Sequence, residues 1–181
     1  MKIVKDGITI RNAEKQDCEQ LSAWWNDGKV MAHAGFPLGL NIPAEEIEKM
    51  ISTDSDETVR RLIIEYQGQP IGEMNYHNMG EQKAEIGIKI CEPAFQEKGL
   101  GRIILSLLIR QLFAMGYTMI VLDTNLNNLR AQHVYELLGF KKVAVRKNCW
   151  HDQLGQLQSA VDYQLREADF HDFSERAENH E

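Results

Sequence analysis

The stretch FQEKGLGRIILSLLIRQLFAM, Phe95 to Met115, constrains the fold more than any other part of the chain. Leu100, Ile103, Ile104, Leu107, Leu108, Leu112 and Met115 recur at helical spacing, so the segment is a strongly apolar helix that must be buried against a second layer. Gly116 ends it as a C-cap would. Its start is unusual. No Ser, Thr, Asp or Asn stands just before Gly99, and two glycines, Gly99 and Gly101, open the helix. Glycine costs backbone entropy, so its double use there points to something approaching the backbone closely. A helix N-terminus presents unpaired N–H groups and partial positive charge, which suit an anion. Lys98 and Arg102 add charge on either side. Neither familiar nucleotide loop fits: Ile104 stands where a dinucleotide fingerprint needs a third glycine, and the lysine precedes the glycine, the reverse of a P-loop. A tight strand-to-helix turn with no ligand remains the competing reading.

The flanking pattern supplies the second layer. Ile8 to Arg11, Arg61 to Tyr66, Pro70 to Asn78 and Lys83 to Ile90 read as strands, as do Met119 to Asp123 and segments near 140–150 and 157–166. Asp17 caps a helix through Leu21, Trp24 and Trp25, Pro43 starts another through Ile51, and Asn128 to Leu138 is closed by Gly139. Antiparallel strands followed by a strand-helix-strand-helix run give an α/β (α+β) single domain. Its expected form is a mixed, mostly antiparallel sheet of about seven strands with about four helices on its faces. The domain is expected over residues 1–168, with 169–181 an acidic, solvated tail.

Composition narrows the function. A net charge of −7 and a pI near 5.4 argue against nucleic acid, whose phosphates need a basic face. Cys18, Cys91 and Cys149 are scattered, with no CxxC, which points to reduced thiols and a cytoplasmic setting and away from a metal site. No apolar run is long enough for a bilayer.

In NLNNLRAQHVYELLGF, residues Asn128, Ala131 and Tyr135 fall on one helix face, putting an amide, a gap and a phenol in a row. Taken with Gln96-x-x-Gly99-x-Gly101, the long apolar helix, the buried strand and the closing Gly139-Phe140, this resembles the GNAT superfamily of acetyl-CoA-dependent N-acetyltransferases. The similarity in order and type runs from the ITIRNAEKQD opening to the AVDYQL strand. The opening, with Trp24-Trp25-Asn26-Asp27 and the AGFP turn, is most similar to the subgroup of ribosomal-protein N-terminal, spermidine and aminoglycoside acetyltransferases.

The resemblance implies an acyltransferase that moves acetyl from acetyl-CoA to a small cationic primary amine, or alternatively to a protein N-terminus; a CoA-binding module without turnover is the non-enzyme alternative. It places the pyrophosphate on Gln96, Glu97, Lys98, Gly99, Leu100, Gly101 and Arg102, with Asn128 and Ala131 alongside and the pantetheine arm beside Ile88 and Ile90. Gln96 departs from the arginine common there. Tyr135 matches the general acid for the departing thiolate. An alkylamine of pKa near ~10 must lose a proton before attack. Glu85 is the expected base, and Glu73 and His77 on the neighbouring strand are the other candidates. Trp24, Trp25, His33 and Phe36 are expected at the acceptor cleft, where aromatic faces can hold a cation. No metal, nucleic acid or membrane is implied, and a homodimer is compatible with the pattern.

Overall fold

The two faces of the sheet are assigned by alternation along its strands. The computed structural model describes residues 1–175. Eight strands form one sheet: β1 (Lys2–Lys5), β2 (Ile8–Asn12), β3 (Val59–Tyr66), β4 (Gln69–Asn78), β5 (Lys83–Ile90), β6 (Met119–Asn125), β7 (Lys141–His151) and β8 (Leu157–Arg166), in the order β1-β2-β3-β4-β5-β6-β8-β7. Five helices accompany them: α1 (Cys18–Asn26), α2 (Gly28–Met31), α3 (Ala44–Ser52), α4 (Leu100–Ala114) and α5 (Leu129–Leu137). Leu62, Ile64, Met74, Tyr76, Ala84 and Ile86 join Ile104, Leu105, Leu108 and Leu112 of α4 in the main core. Ile63 points the other way, into a second cluster with Leu21, Trp24, Trp25 and Ile47. The sheet is therefore sandwiched, α4 and α5 on one face and α1 to α3 on the other.

The α+β sheet expected from the sequence is present, with one more strand and one more helix. β1 is a four-residue edge of alternating exposure, too short to register as a periodic run. Its signal is the Asp6-Gly7 turn, whose φ values of 49° and 81° suit a two-residue hairpin into β2. The extra helix, α2, is a single turn started by Asp27, whose Oδ1 accepts from the Lys29 N–H at 2.8 Å.

All pairings are antiparallel except β5 with β6. That parallel ladder is short. It pairs Lys83, Ala84 and Glu85 with Met119, Ile120 and Val121 and goes no further. β5 nevertheless stays with β4 as far as Ile90, and β6 stays with β8 as far as Asn125. The two central strands are thus held on their outer sides and open between them, and that wedge forms the site.

Residues 169–175 are packed, whereas composition suggested a solvated tail beginning at 169. The His171 N–H donates to the Leu138 carbonyl at 3.0 Å and the Phe173 N–H to the Ser106 hydroxyl at 2.9 Å. Phe170 and Phe173 lie against the main core. Ser106 is a polar residue with no exposure in an apolar helix, and this strap supplies its partner. Two phenylalanines among charged residues were enough to bring the segment down. The rest of the expected tail, 176–181, lies outside the described residues.

Candidate active site

Where β5 and β6 part, a cavity of about 1070 Å³ opens, lined by the second half of β5, the start of α4, α5, α2 and part of β7. Along β5 the backbone groups alternate in direction. The Cys91 N–H donates to the Ile71 carbonyl of β4, while the Gln82 carbonyl accepts from Thr118 before β6. Even-numbered residues therefore turn their N–H and C=O away from β4. Beyond Glu85 there is no neighbouring strand to meet them, so those of Ile88 and the N–H of Ile90 face the cavity. The Ile90 carbonyl is occupied by Gln96 Nε2 at 2.8 Å. That bond gives the glutamine at position 96 a structural role: its amide ties the turn to the strand.

The turn then delivers α4. Glu97 and Gly99 take positive φ, 58° and 74°, and no side chain caps the helix. A Cβ on Gly101 would meet nothing but Ile90 Cδ1, at 3.9 Å. The close approach inferred from the sequence is thus not an approach by protein; the space over Gly101 belongs to the cavity. Uncapped N–H groups, a dipole end and a Cβ-free surface fit an anion such as a pyrophosphate. Arg102 lines this end, and its guanidinium lies over the Phe173 ring at 5.2 Å from the centroid. Glu97 is balanced by Arg130 at 2.9 Å, and Glu92 lies outside the cavity lining, accepting from the Trp24 indole at 2.7 Å. Lys98 is exposed, with its ammonium over the Phe95 ring and outside the cavity lining.

On α5, Asn128 both caps the helix, Oδ1 accepting from the Ala131 N–H at 3.3 Å, and lines the cavity beside Ala131. Tyr135 is 8% exposed, its ring set edge-on to Phe140 and tilted against Tyr163. Its hydroxyl has no hydrogen-bond partner among the described residues. Burial, with a smaller contribution from Asp123, pushes the phenol up to about 12, so it holds its proton throughout the physiological range.

The other expected residues are dispersed. In the β4–β5 hairpin Glu85 stands opposite His77, while Asn75 is opposite Gly87 and Glu73 opposite Lys89. Glu85 lines a smaller adjoining cavity with Asp123, Arg146 and Asp162; Asp123 and Arg146 line the main one as well. His77 is exposed and lines neither. Glu73 is buried, accepting on one oxygen from the Trp25 indole at 2.8 Å and the Lys89 ammonium at 3.2 Å. Trp24 and Trp25 are both core residues whose N–H groups are spent on carboxylates. Of the four expected cleft aromatics and histidines, His33 lines the cavity and Phe36 does not.

Several lining residues had no signal in the sequence. Trp150 on β7 reaches across to Gly35, where a Cβ would lie 2.4 Å from its ring. The hairpin after it is fastened to the same loop: Gln153 donates from Nε2 to the Gly39 carbonyl, accepts at Oε1 from the Leu38 N–H, and donates its own N–H to the Gly35 carbonyl. Lys29, Lys89 and Arg146 also line the cavity, and Arg146 is held by Asp123 at 2.9 Å and Asp162 at 2.8 Å. These pieces meet only through long-range packing, which a local pattern does not encode.

The acetyltransferase (GNAT) domain model matches residues 8–141, most of the chain. The chain belongs to the GNAT family. Two curated relatives named [ribosomal protein bS18]-alanine N-acetyltransferase align with it over 70 residues: one from Haemophilus ducreyi at 36% identity, one from Salmonella typhimurium at 39%. Each alignment takes in 39% of this chain and about half of the relative, 48% and 47%. Among solved structures, spermidine N-acetyltransferase from Vibrio cholerae in complex with CoA and spermine superposes with a TM-score of 0.81 at 21% identity, covering 91% of this chain and 98% of that one. RimL, a ribosomal L7/L12 alpha-N-protein acetyltransferase in complex with coenzyme A, gives 0.78 at 16% identity, covering 91% and 96%. At these identities the superpositions establish the GNAT fold. No helix among the described residues is long and apolar enough to cross a membrane, and no cluster of three metal-ligating side chains occurs among them.

Proposed function

We propose that this GNAT chain is an acetyl-CoA-dependent N-acetyltransferase that acts on a primary amine by direct attack. One observation carries the reading: a single cavity joins an uncapped, Cβ-free helix start, the open backbone edge of β5, and Tyr135, whose hydroxyl is free of protein partners among the described residues. The spermidine and L7/L12 acetyltransferases that share the fold are themselves complexes with CoA. Backbone N–H groups from Gln96 to Arg102 would hold the pyrophosphate, and the edge at Ile88 and Ile90 would pair with the amide-bearing arm as an added strand does. Acetyl-CoA brings the activated acyl group; this chain contributes position and protons. The Ile88 N–H is placed to polarise a carbonyl lying along that edge. Tyr135, neutral throughout the physiological range, donates to the departing sulfur. Glu85 sits one pleat from Gly87, about 7 Å along the strand, so it takes the amine's proton through water beside Asp123 and Arg146.

Release of free CoA thiol from acetyl-CoA in the presence of a panel of amines tests this. Amine-dependent release, lost in Tyr135→Phe while acetyl-CoA still raises the melting temperature, supports the assignment. Binding with no release for any amine would instead identify a CoA-binding module.

A further inference from the structure

The acceptor side carries a charge gradient. Glu85, Gly87 and Lys89 lie on one face of β5, the face that carries Ile63, Glu73 and Asn75 on the neighbouring strands and turns toward α1 and α2. A carboxylate and an ammonium thus stand on Cα positions about 13 Å apart, with a bare glycine between them. At the Glu85 end, Asp123 and Asp162 share one cation, Arg146, which leaves carboxylate in excess. At the Lys89 end the lining presents Lys29, His33 and Lys89 and no carboxylate. Behind the lining Glu73 is paired with Lys89 and accepts from the Trp25 indole, Glu92 accepts from the Trp24 indole, and Asp27 caps α2. Lys29, on α2 and in the cavity lining, has no carboxylate partner among the described residues. His33, one turn on, is the other ionisable group there.

We infer that the acceptor is a primary amine bearing a carboxylate a few bonds away, its ammonium drawn to the Glu85 end and its anionic group held by Lys29. The inference rests on the N-acetyltransferase reading and refines it. A polyamine or an aminoglycoside brings a second and third cation to a cleft end that offers them Lys29, a Lys89 already paired with Glu73, and no carboxylate in the lining. A peptide α-amine also suits the chemistry: at pKa near 8 a useful fraction is neutral at physiological pH, and Glu85 reaches it only through water. Two sources carry this chemistry, an acidic peptide N-terminus and a free dicarboxylic amino acid.

The test measures kcat/KM by thiol release at low salt for five acceptors: the peptides Ser-Asp-Ala-Ala and Ser-Lys-Ala-Ala with amidated C-termini, aspartate, glutamate and spermidine. At least one carboxylate-bearing acceptor should exceed both the lysine peptide and spermidine by about five-fold, near the upper end of what one partly screened charge pair supplies. The advantage should shrink as salt rises towards 0.5 M. Lys29→Glu should reverse the preference through KM, and Lys29→Arg should keep it. Lys29 is exposed, so both variants should match the parent in melting temperature and in its shift with acetyl-CoA. Preference for the aspartyl peptide over both free amino acids identifies the peptide source, and the converse the metabolite. Spermidine or the lysine peptide as the best acceptor would overturn the inference while leaving N-acetyl transfer intact. An order of preference unchanged in Lys29→Glu would overturn it too. No release with any of the five, nor with a wider panel of amines, would remove both readings.

Discussion

Gly101 separates ligand binding from folding more sharply than any other position in the cradle. Its backbone is helical and its missing Cβ faces open cavity, with Ile90 Cδ1 at 3.9 Å the nearest neighbour. Valine is a better helix former than glycine by about 0.3 kcal/mol, so Gly101→Val should leave the unliganded protein within ~1 °C of the parent. The parent, with acetyl-CoA at 100 times its Kd, should gain about 2.7 kcal/mol. For a chain of this size that is a rise of about 5–11 °C in Tm. Valine's branches would occupy the space over the first helical N–H groups, so the variant's rise should fall below ~1 °C at the same concentration. Gly99→Ala provides the contrast. Its φ of 74° is left-handed, and a Cβ there costs about 1–2 kcal/mol, so it should lower the unliganded Tm by about 2–8 °C. Differential scanning fluorimetry with and without acetyl-CoA reads all three proteins. Equal ligand shifts in Gly101→Val and parent would refute the placement of an anion on this helix start.

Tyr135→Phe should keep the ring packing and the acetyl-CoA shift while kcat falls by roughly 10²-fold, measured where chemistry limits turnover. In the proposed role the protonated phenol is the donor, and burial raises its pKa to about 12, so wild-type activity should show no loss from this group as pH rises from 8 to 10; a fall there that vanishes in Tyr135→Phe would contradict the role. Glu85→Gln should slow turnover most near neutrality and less as pH approaches the amine's own pKa; a pH-independent ratio would take Glu85 out of the proton path. Gly139→Ala places a Cβ 1.9 Å from the Asp169 carbonyl at a φ of 97°, so it should cost about 3 kcal/mol, and urea unfolding that shows under 1 kcal/mol would contradict the packing of the C-terminal strap.

The helix start and the α5 face that line the cavity were legible in the sequence because they are local. Gly99, Gly101 and the face formed by Asn128, Ala131 and Tyr135 lie within two helices and the turn before one of them, where spacing alone sets geometry. Most strands were legible for the same reason, each being a run of period-two or apolar residues. β1 was missed because four residues give alternation too little length, although Asp6-Gly7 announced the hairpin. The opposite wall of the cavity is assembled from α2, the end of β5 and the hairpin after β7, and the fastening between them joins residues more than a hundred positions apart. Trp24 and Trp25 drew attention as aromatics, yet their indoles donate to a half-buried Glu92 and a buried Glu73, which a sequence does not reveal. The strap at 169–175 hid behind its charge, since Phe170 and Phe173 are too sparse to form a pattern.

The Gln153 fastening has a consequence for how the substrate range of the proposed transferase can change. Trp150 fits against Gly35 because that residue has no side chain, and Gln153 reads the backbone of Gly35, Leu38 and Gly39 at specific positions. The loop and the hairpin are therefore one inheritable unit. A drift in either alone meets a steric or hydrogen-bonding mismatch at the other, so new acceptor preferences arise by paired replacement of both segments or by changes at positions such as Lys29 that lie outside the fastening. Recombining the loop of one relative with the hairpin of another should yield poorly folded chains, and exchanging the two together should yield folded ones with the donor's selectivity.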